Sequence, residues 1–506
     1  MSCGAGRLAA VMAACAVGAG LLAGISSGAE IGANDDTAKF VADGGAVFYR
    51  EMAVLGLRRS VLTVRFRPSE PTVIPGRDAL DAAVAQARAA GLEVVFSVYP
   101  YPPRELAAGQ SSPDAFAEWL TVLARRYPDV RQYVVGNEPN QTAFLRPQFG
   151  SNRRNVSAAT AGAYLAAGYD ALKAVDPGIV VVGVGLSPRG NDDPPAPSNP
   201  SVSPLRFLEA LGRWYRASGR TAPLMDGFSF HPYPRRATDP LRRGYVWPNA
   251  GFANLDRVKQ GLWDAFHGTG QPTTVDGLRL YLDETGWQVG TSGLVGYTGA
   301  ENVPVTTEAE QATIYGELVR LAACDPTVAQ LNFFGFYDDG LRTGFQAGLY
   351  RADGTPRPSA DAVRQAIADT ANGCPGALVT WTPARGVVGA QASGVPVTGL
   401  FGPVLARTAL SIPVALTASE GCTAKVFLTR LASQDLSGIR IPLARSAAAT
   451  VTSTPTTMLH PPGTAELRID LRSGLPAGRY ALVARFTAEA NPARVTLARG
   501  TPFVVW

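Results

Sequence analysis

Two short stretches set acidic side chains directly behind apolar runs. In "YVVGNEPNQ" (133–141), Asn137 and Glu138 follow Tyr133, Val134 and Val135, with only Gly136 between. In "LRLYLDETGW" (278–287), Asp283 and Glu284 close a strand-like run. A turn accounts for Gly136, Asn137 and Pro139. It does not account for the carboxylates. Two carboxyl groups about 5–5.5 Å apart can cleave a glycosidic bond with retention: one protonates the leaving oxygen and then activates water, while the other attacks the sugar carbon. Like charges that close do not both ionise readily, so one pKa rises and that group serves as the acid. Each residue also has a plainer reading. Glu138 before a proline is an ordinary loop residue, and Glu284 is a helix-start or salt-bridging carboxylate with Asp283 as its rival. Strand alternation puts Asp283 and Glu284 on opposite faces.

The elements around these stretches decide whether the two can meet. Strand-like and helix-like segments alternate from about residue 30 to 373. The weakest strand lies near "EIGAND" (30–35), before a helix over 37–55. The others are expected at 61–66, 93–98, 132–135, 179–185, 227–231, 278–284 and 329–336. Helices follow at 77–90, closed by Gly91; from Ser112 and Pro113 onward; and at 158–175, 204–216, 255–266, 307–323 and 359–369. The punctuation is physical: glycine stops a helix, serine caps one with proline behind it, and Thr307 with Glu310 forms a capping box. Apolar strands alternating with helices imply a parallel sheet covered on both faces, and eight such units imply an α/β fold of the (β/α)8 TIM-barrel type. From Pro375 the texture changes to short Val-, Leu-, Thr- and Phe-rich runs separated by turns, read as a C-terminal β-sandwich. The expected division is 1–29 signal peptide, 30–373 barrel and 374–506 sandwich.

Composition excludes several classes. Of 506 residues, 46% are hydrophobic and 17% charged, with a net charge of +5, so the chain is globular and not a polybasic nucleic-acid binder. Arg7, an apolar run and Ser27-Gly28-Ala29 resemble an export signal, with an N-terminal membrane anchor as the alternative. No later stretch is long and apolar enough to span a bilayer. Three cysteines follow the signal, too few for a disulfide scaffold. Cys324 and Cys374 end neighbouring helices on the face away from the strand ends and are candidates for one bridge, leaving Cys422 as a buried thiol. His231, His267 and His460 lack metal-ligand spacing, so no metal and no organic cofactor is expected.

Active sites of such barrels sit at the C-terminal strand ends. Those ends carry Tyr99 and Tyr101 (third strand), Asn137 and Glu138 (fourth), His231 and Tyr233 (sixth), Asp283, Glu284 and then Trp287 (seventh), and Tyr337, Asp338 and Asp339 (eighth). Trp247 and Trp287 are either core or sugar-stacking walls; the second is preferred, because aromatic faces suit sugar rings. Arg235, Arg236, Arg242 and Arg243 follow the sixth strand as a solvated loop or as a site for an acidic glycan. Asp338 and Asp339 bind sugar hydroxyls or start a turn.

"GNEPN", "LDETGW" and "GLYRADGTPRPS" (348–359) together resemble clan A glycoside hydrolases, with affinities to families 39 and 5, over about residues 30–373. The resemblance implies Glu138 as acid/base, Glu284 as nucleophile, Asn137 as the ligand of the hydroxyl beside the reacting carbon, and His231 and Tyr233 as the pair lining the cleft and supporting the nucleophile. Two departures stand out. Many clan members have Trp where this chain has Gly136, and many family 5 members have an arginine where this chain has Val61. Arg65, on the same strand face, either replaces that arginine or is a surface residue. The expectation is a secreted retaining glycosidase that acts as a monomer on a carbohydrate substrate, with no nucleic-acid partner and no membrane insertion. The alternatives are a transglycosylase using the same residues or a non-catalytic glycan-binding barrel.

Overall fold

The computed structural model describes residues 28–381, apart from 103–104, 107–108 and 246–247, and, beyond them, 383, 397–401, 411–418, 422–430, 450–454, 456–459, 463–470, 478–489, 495–499 and 503–505. The export signal at 1–29 and Trp247 therefore fall almost wholly or wholly outside the described residues.

Eight parallel strands close into a barrel in sequence order: β1 (Glu30–Asn34), β2 (Arg59–Arg65), β3 (Glu93–Tyr99), β4 (Gln132–Val135), β5 (Val180–Leu186), β6 (Gly227–Phe230), β7 (Arg279–Thr285) and β8 (Val328–Phe334). Closure runs through β1, whose residues pair with β8 from Glu30↔Gln330 to Asn34↔Phe334. The helices are α1 (Ala46–Val54), α2 (Arg77–Ala89), α3 (Pro113–Arg126), α4 (Ser157–Val175), α5 (Pro204–Ser218), α6 (Leu255–Phe266), α7 (Glu308–Ala323) and α8 (Pro358–Asp369). The (β/α)8 expectation holds strand by strand.

One element differs. The segment 37–55 is not one helix but a 3₁₀ turn (Thr37–Lys39) followed by α1. Gly44 and Gly45 sit at φ +64° and +90°, conformations a helix cannot pass through. Asp43 then accepts from the backbone N–H groups of Gly45 and Val47, starting α1 afresh.

The helices bury the faces their periodicity implies. In α3, Ser112 accepts from the Ala115 N–H at 3.2 Å, and Phe116, Trp119, Leu120 and Leu123 are buried. Each such side chain contributes about 1.5–3 kcal/mol on leaving water. Inside the barrel, Val61, Val95, Val134 and Val182 form an apolar plug. Gln132 donates to Gln330 across it at 2.8 Å. This plug is the floor on which the strand ends stand.

The C-terminal part contains two antiparallel sheets: a three-stranded one, with β9 (Val397–Phe401), β10 (Ser411–Ala418) and β14 (Gly463–Asp470), and a six-stranded one. The latter holds β11 (Cys422–Arg430), β12 (Thr450–Ser453), β13 (Thr457–Leu459), β15 (Gly478–Ala488), β16 (Val495–Arg499) and β17 (Phe503–Val505). Cys324, at the end of α7, and Cys374, just past α8, form a disulfide with a Cα–Cα distance of 4.6 Å. Cys422 is buried and outside that bridge. Among the described residues, no helix is long and apolar enough to cross a membrane.

Candidate active site

Glu138 is held by backbone. Its N–H donates to the Gly185 carbonyl at 2.7 Å, and the Gly136 N–H donates to the Val98 carbonyl at 3.1 Å. The following loop is clamped as well. Asn140 Nδ2 donates to the Ser187 and Val202 carbonyls, its Oδ1 accepts from the Ser187 N–H, and Gln148 Nε2 donates to the Pro139 carbonyl. Glu138 itself lies at φ +41°. A non-glycine residue there carries strain of about 1–3 kcal/mol, the kind that persists where surrounding contacts over-determine it. Gly136 lies at φ +111°, and a Cβ on it would stand 3.0 Å from the Val184 carbonyl oxygen and 3.1 Å from the Tyr101 hydroxyl. A side chain at that position would be both strained and crowded, so the backbone requires glycine there.

On β7 the pairing is irregular. The pairing of β7 with β8 shifts register between Leu282 and Thr285. Asp283 and Glu284 are both buried, and both act electrostatically on His231. An extra residue in one strand re-aims the side chains on either side of it. Glu284 Oε2 stands 3.5 Å from the imidazole, and Asp283 acts on it only electrostatically.

Glu284 is fixed by two donors: Asn34 Nδ2 to Oε1 at 3.3 Å and the Tyr233 hydroxyl to Oε2 at 3.1 Å. His231 Nδ1 lies 3.2 Å from Glu138 Oε1 and 3.5 Å from Glu284 Oε2. One ligand-type atom from each of Glu138, His231 and Glu284 falls within 4.8 Å of the others, so the two carboxylates nearly meet around the imidazole. A metal ion could also bridge atoms at that spacing.

The charges are mutually dependent. Burial pushes the Glu284 carboxyl up to about 7; the neighbouring Glu138 adds to this, while His231 and the Tyr233 hydroxyl work against it. Burial alone would lower the His231 imidazole. Glu284, then Glu138 and Asp283, outweigh that effect and hold it at about 9, so it is a cation at neutral pH. Asp283 is raised to about 6 by burial, against the pull of Ser229 and His231.

The remaining expected residues divide. Asn137 is buried beside Glu138, and Tyr233 is only partly buried over Glu284. Arg65 is exposed and lies over the Tyr99 ring, 5.2 Å from its centroid; Tyr99 in turn feels the charge of Glu284. Trp287 does not form a sugar-stacking wall. It is 1% exposed, its indole N–H donates to the Asp239 carbonyl and its backbone N–H to the Tyr315 hydroxyl, so neither face is open. Beside Tyr233 stands a different aromatic, Phe345, which is partly buried and meets Tyr233 edge-on at 5.7 Å and Phe334 at 5.5 Å. Three of the four arginines of the basic loop are paired within the chain, Arg235 and Arg243 sharing Asp239 and Arg242 meeting Glu317. Asp338 is a buried partner of Arg357 and Tyr297, and Asp339 accepts from the Leu341 N–H to start a turn. Asn34 and Phe345 were not anticipated. Asn34 ends the least legible strand, and Phe345 sits in a loop with no pattern to mark it.

Fold and site together define a (β/α)8 barrel whose C-terminal rim presents paired carboxylates from β4 and β7 around a buried imidazole. No protein-family model matches the chain. No curated protein matches it either. Solved structures do. One is a family 39 glycoside hydrolase from the gut symbiont Bacteroides cellulosilyticus WH2 (14% identity, TM-score 0.47, 88% of this chain and 82% of that one). Another is a glucosidase from Croceicoccus marinus (12%, 0.44, 87% and 93%). A third is GH5_18 from Streptomyces cattleya in complex with GlcNAc (18%, 0.46, 68% and 80%).

Proposed function

We propose that this protein is a retaining glycoside hydrolase acting on O-glycosidic bonds of a polysaccharide or oligosaccharide. The observation that carries the reading is the pair Glu138 and Glu284, at the ends of β4 and β7, with an oxygen of each within 4.8 Å of the other. That spacing is nearer the roughly 5–5.5 Å between the carboxyl groups of retaining enzymes than the about 6.5–9.5 Å of inverting ones.

Burial raises Glu284 within this pair, so the roles are divided by orientation and access rather than by which carboxyl is raised. Glu284 accepts from Asn34 and Tyr233 and stands beside a cationic imidazole, all of which favour an oriented carboxylate. It attacks the sugar carbon as the bond to the leaving oxygen breaks. Glu138 keeps a side-chain exposure of 16%, against 8% for Glu284, so protons and water reach it. It gives its proton to the leaving oxygen, then takes one from the water that releases the sugar from Glu284. Asn137 beside it is the ligand of the neighbouring sugar hydroxyl. We read residues 1–29 as an export signal and the protein as secreted. We read 374–506 as a β-sandwich, supported by β16 lying against β9 and by β12 and β13 lying against β14.

The test is glycan breakdown by wild type, Glu138→Gln and Glu284→Gln, with the anomer of the first product read by NMR. Loss of the acid/base is expected to cost roughly 10²–10⁴-fold, loss of the nucleophile is expected to abolish turnover, and the product is expected to keep its configuration. A chelator is expected to leave the rate unchanged. Equal activity in all three proteins, or an inverted product, would sink the mechanism.

A further inference from the structure

The turn after β15 sends one carboxylate out of the C-terminal sheets into the barrel. Glu489 is 3% exposed. Its Oε1 accepts from Asn254 Nδ2 and lies 3.6 Å from Arg257 Nη2, while its carbonyl accepts from Arg257 Nε at 2.9 Å. Asn254 and Arg257 stand at the start of α6, directly below the loop that follows β6.

Both partners hold that loop with their other atoms. Asn254 Oδ1 accepts from the backbone N–H groups of Tyr245 (2.7 Å) and Gly251 (3.2 Å). Arg257 Nη1 donates to the carbonyls of Tyr245 and Asn249. The Tyr245 hydroxyl donates to the Tyr233 carbonyl at 3.3 Å, and the Tyr233 hydroxyl donates to Glu284 Oε2 at 3.1 Å. The packing is tight enough to transmit a displacement: a Cβ on Gly244 would fall 2.4 Å from Asn254 Nδ2, and one on Gly251 would fall 2.9 Å from the Tyr245 ring. The loop is also tied to its neighbour, where Asn249 Oδ1 accepts from the Gly190 N–H.

We propose that Glu489 is a positioning residue of the active site: the C-terminal domain latches the β6 loop through Asn254 and Arg257 and so holds the Tyr233 hydroxyl on Glu284. This rests on the proposed role of Glu284. It gives the C-terminal domain a task in the reaction itself, without any glycan contact of its own. A carboxylate this deeply buried is costly unless paired and hydrogen-bonded, and the partners that satisfy it are the two side chains that hold the loop.

The experiment uses the full-length protein with Glu489→Ala, Glu489→Gln and, as a control for general loosening of the C-terminal sheets, Leu428→Ala, a buried residue of β11. Two readouts are taken. Hydrogen exchange of peptides covering 232–254, measured without substrate, is expected to rise in Glu489→Ala and to stay at the wild-type level in Leu428→Ala. In Glu489→Ala, kcat is expected to fall about tenfold or more with KM little changed, since small misplacements of reacting groups are costly. Its acidic limb in the pH profile should move upward, because Glu284 loses a donor to its carboxylate. Glu489→Gln keeps an oxygen for Asn254 and should recover most of both. Unchanged exchange in 232–254 overturns the latch whatever the protein's activity. Raised exchange with kcat and the acidic limb unmoved overturns the positioning role. Wild-type turnover by Glu284→Gln would overturn the catalytic reading instead, so the two failures are distinguishable.

Discussion

Replacing His231 with asparagine tests the electrostatics of the site most directly. Asparagine can keep a donor near the position of Nδ1, which faces Glu138 at 3.2 Å, while removing the positive charge. That charge lies 3.5 Å from Glu284 Oε2. At an effective dielectric of about 20, the attraction is on the order of 4–5 kcal/mol. Water admitted to the site screens part of it, and an opposite charge at this range ordinarily moves a carboxyl by about 1–3 pH units. Glu284 stands at about 7 in the wild type, and His231 holds it down from a higher value. Removing the cation therefore raises Glu284 further. The nucleophile must be ionised, so activity is lost below its pKa, and the acidic limb of kcat/KM should move from near 7 to higher pH. At pH 7 the ionised fraction would fall roughly 5-fold for a shift of one unit and about 500-fold for three. The assay is kcat/KM against pH on an aryl glycoside that the wild type cleaves, with thermal melts to verify that the variant is folded. An acidic limb that stays put, or moves to lower pH, would refute the assignment of a cationic His231 beside an ionising Glu284.

Three further outcomes follow from the same geometry. Tyr233→Phe removes one of two donors to Glu284 and should reduce kcat by an amount equivalent to about 1.5–3 kcal/mol, the usual value of a hydrogen bond to a charged group, with the acidic limb displaced upward; steady-state kinetics across pH checks both. Asp283→Asn removes a negative neighbour that raises Glu284, so its acidic limb should move downward, opposite in sign to His231→Asn, and an upward shift would contradict the charge arrangement. Reduction of the Cys324–Cys374 bridge, which closes a separation of 50 residues, should cost about 4 kcal/mol of stability by loop entropy, read as a lower melting temperature in reductant with kcat unaltered below the transition.

Much of the barrel was legible because its punctuation is local. Gly91, Ser112 with Pro113, and Thr307 with Glu310 mark helix ends by backbone requirements that hold in any context. The bridge between Cys324 and Cys374 followed from placing both at helix ends on one face. The errors came where local pattern and packing diverge. Apolar content across 37–55 suggested one helix, but the two glycines at positive φ break it. Trp287 has the composition of a sugar-stacking residue, yet whether an indole face is open depends on Asp239 and Tyr315, which come from other loops. Asn34 was passed over because β1 is short and contains Gly32; its importance comes from closure of the barrel, which sets it against Glu284 some 250 residues away.

The charges of the site sustain one another. His231 Nδ1 stands 3.2 Å from Glu138 and 3.5 Å from Glu284, and Asp283 on β7 adds its charge from farther off. That excess of negative charge keeps His231 protonated although burial opposes it. The protonated imidazole in turn keeps Glu284 from rising beyond about 7, although burial alone would drive it higher. Nucleophile and cation are thus each ionised because of the other. Asp283 helps to sustain that cation but itself raises Glu284, so its removal lets the nucleophile ionise at lower pH. The buried carboxylate remains an available nucleophile because the imidazole cation and the Tyr233 hydroxyl offset that neighbour and part of the cost of burial.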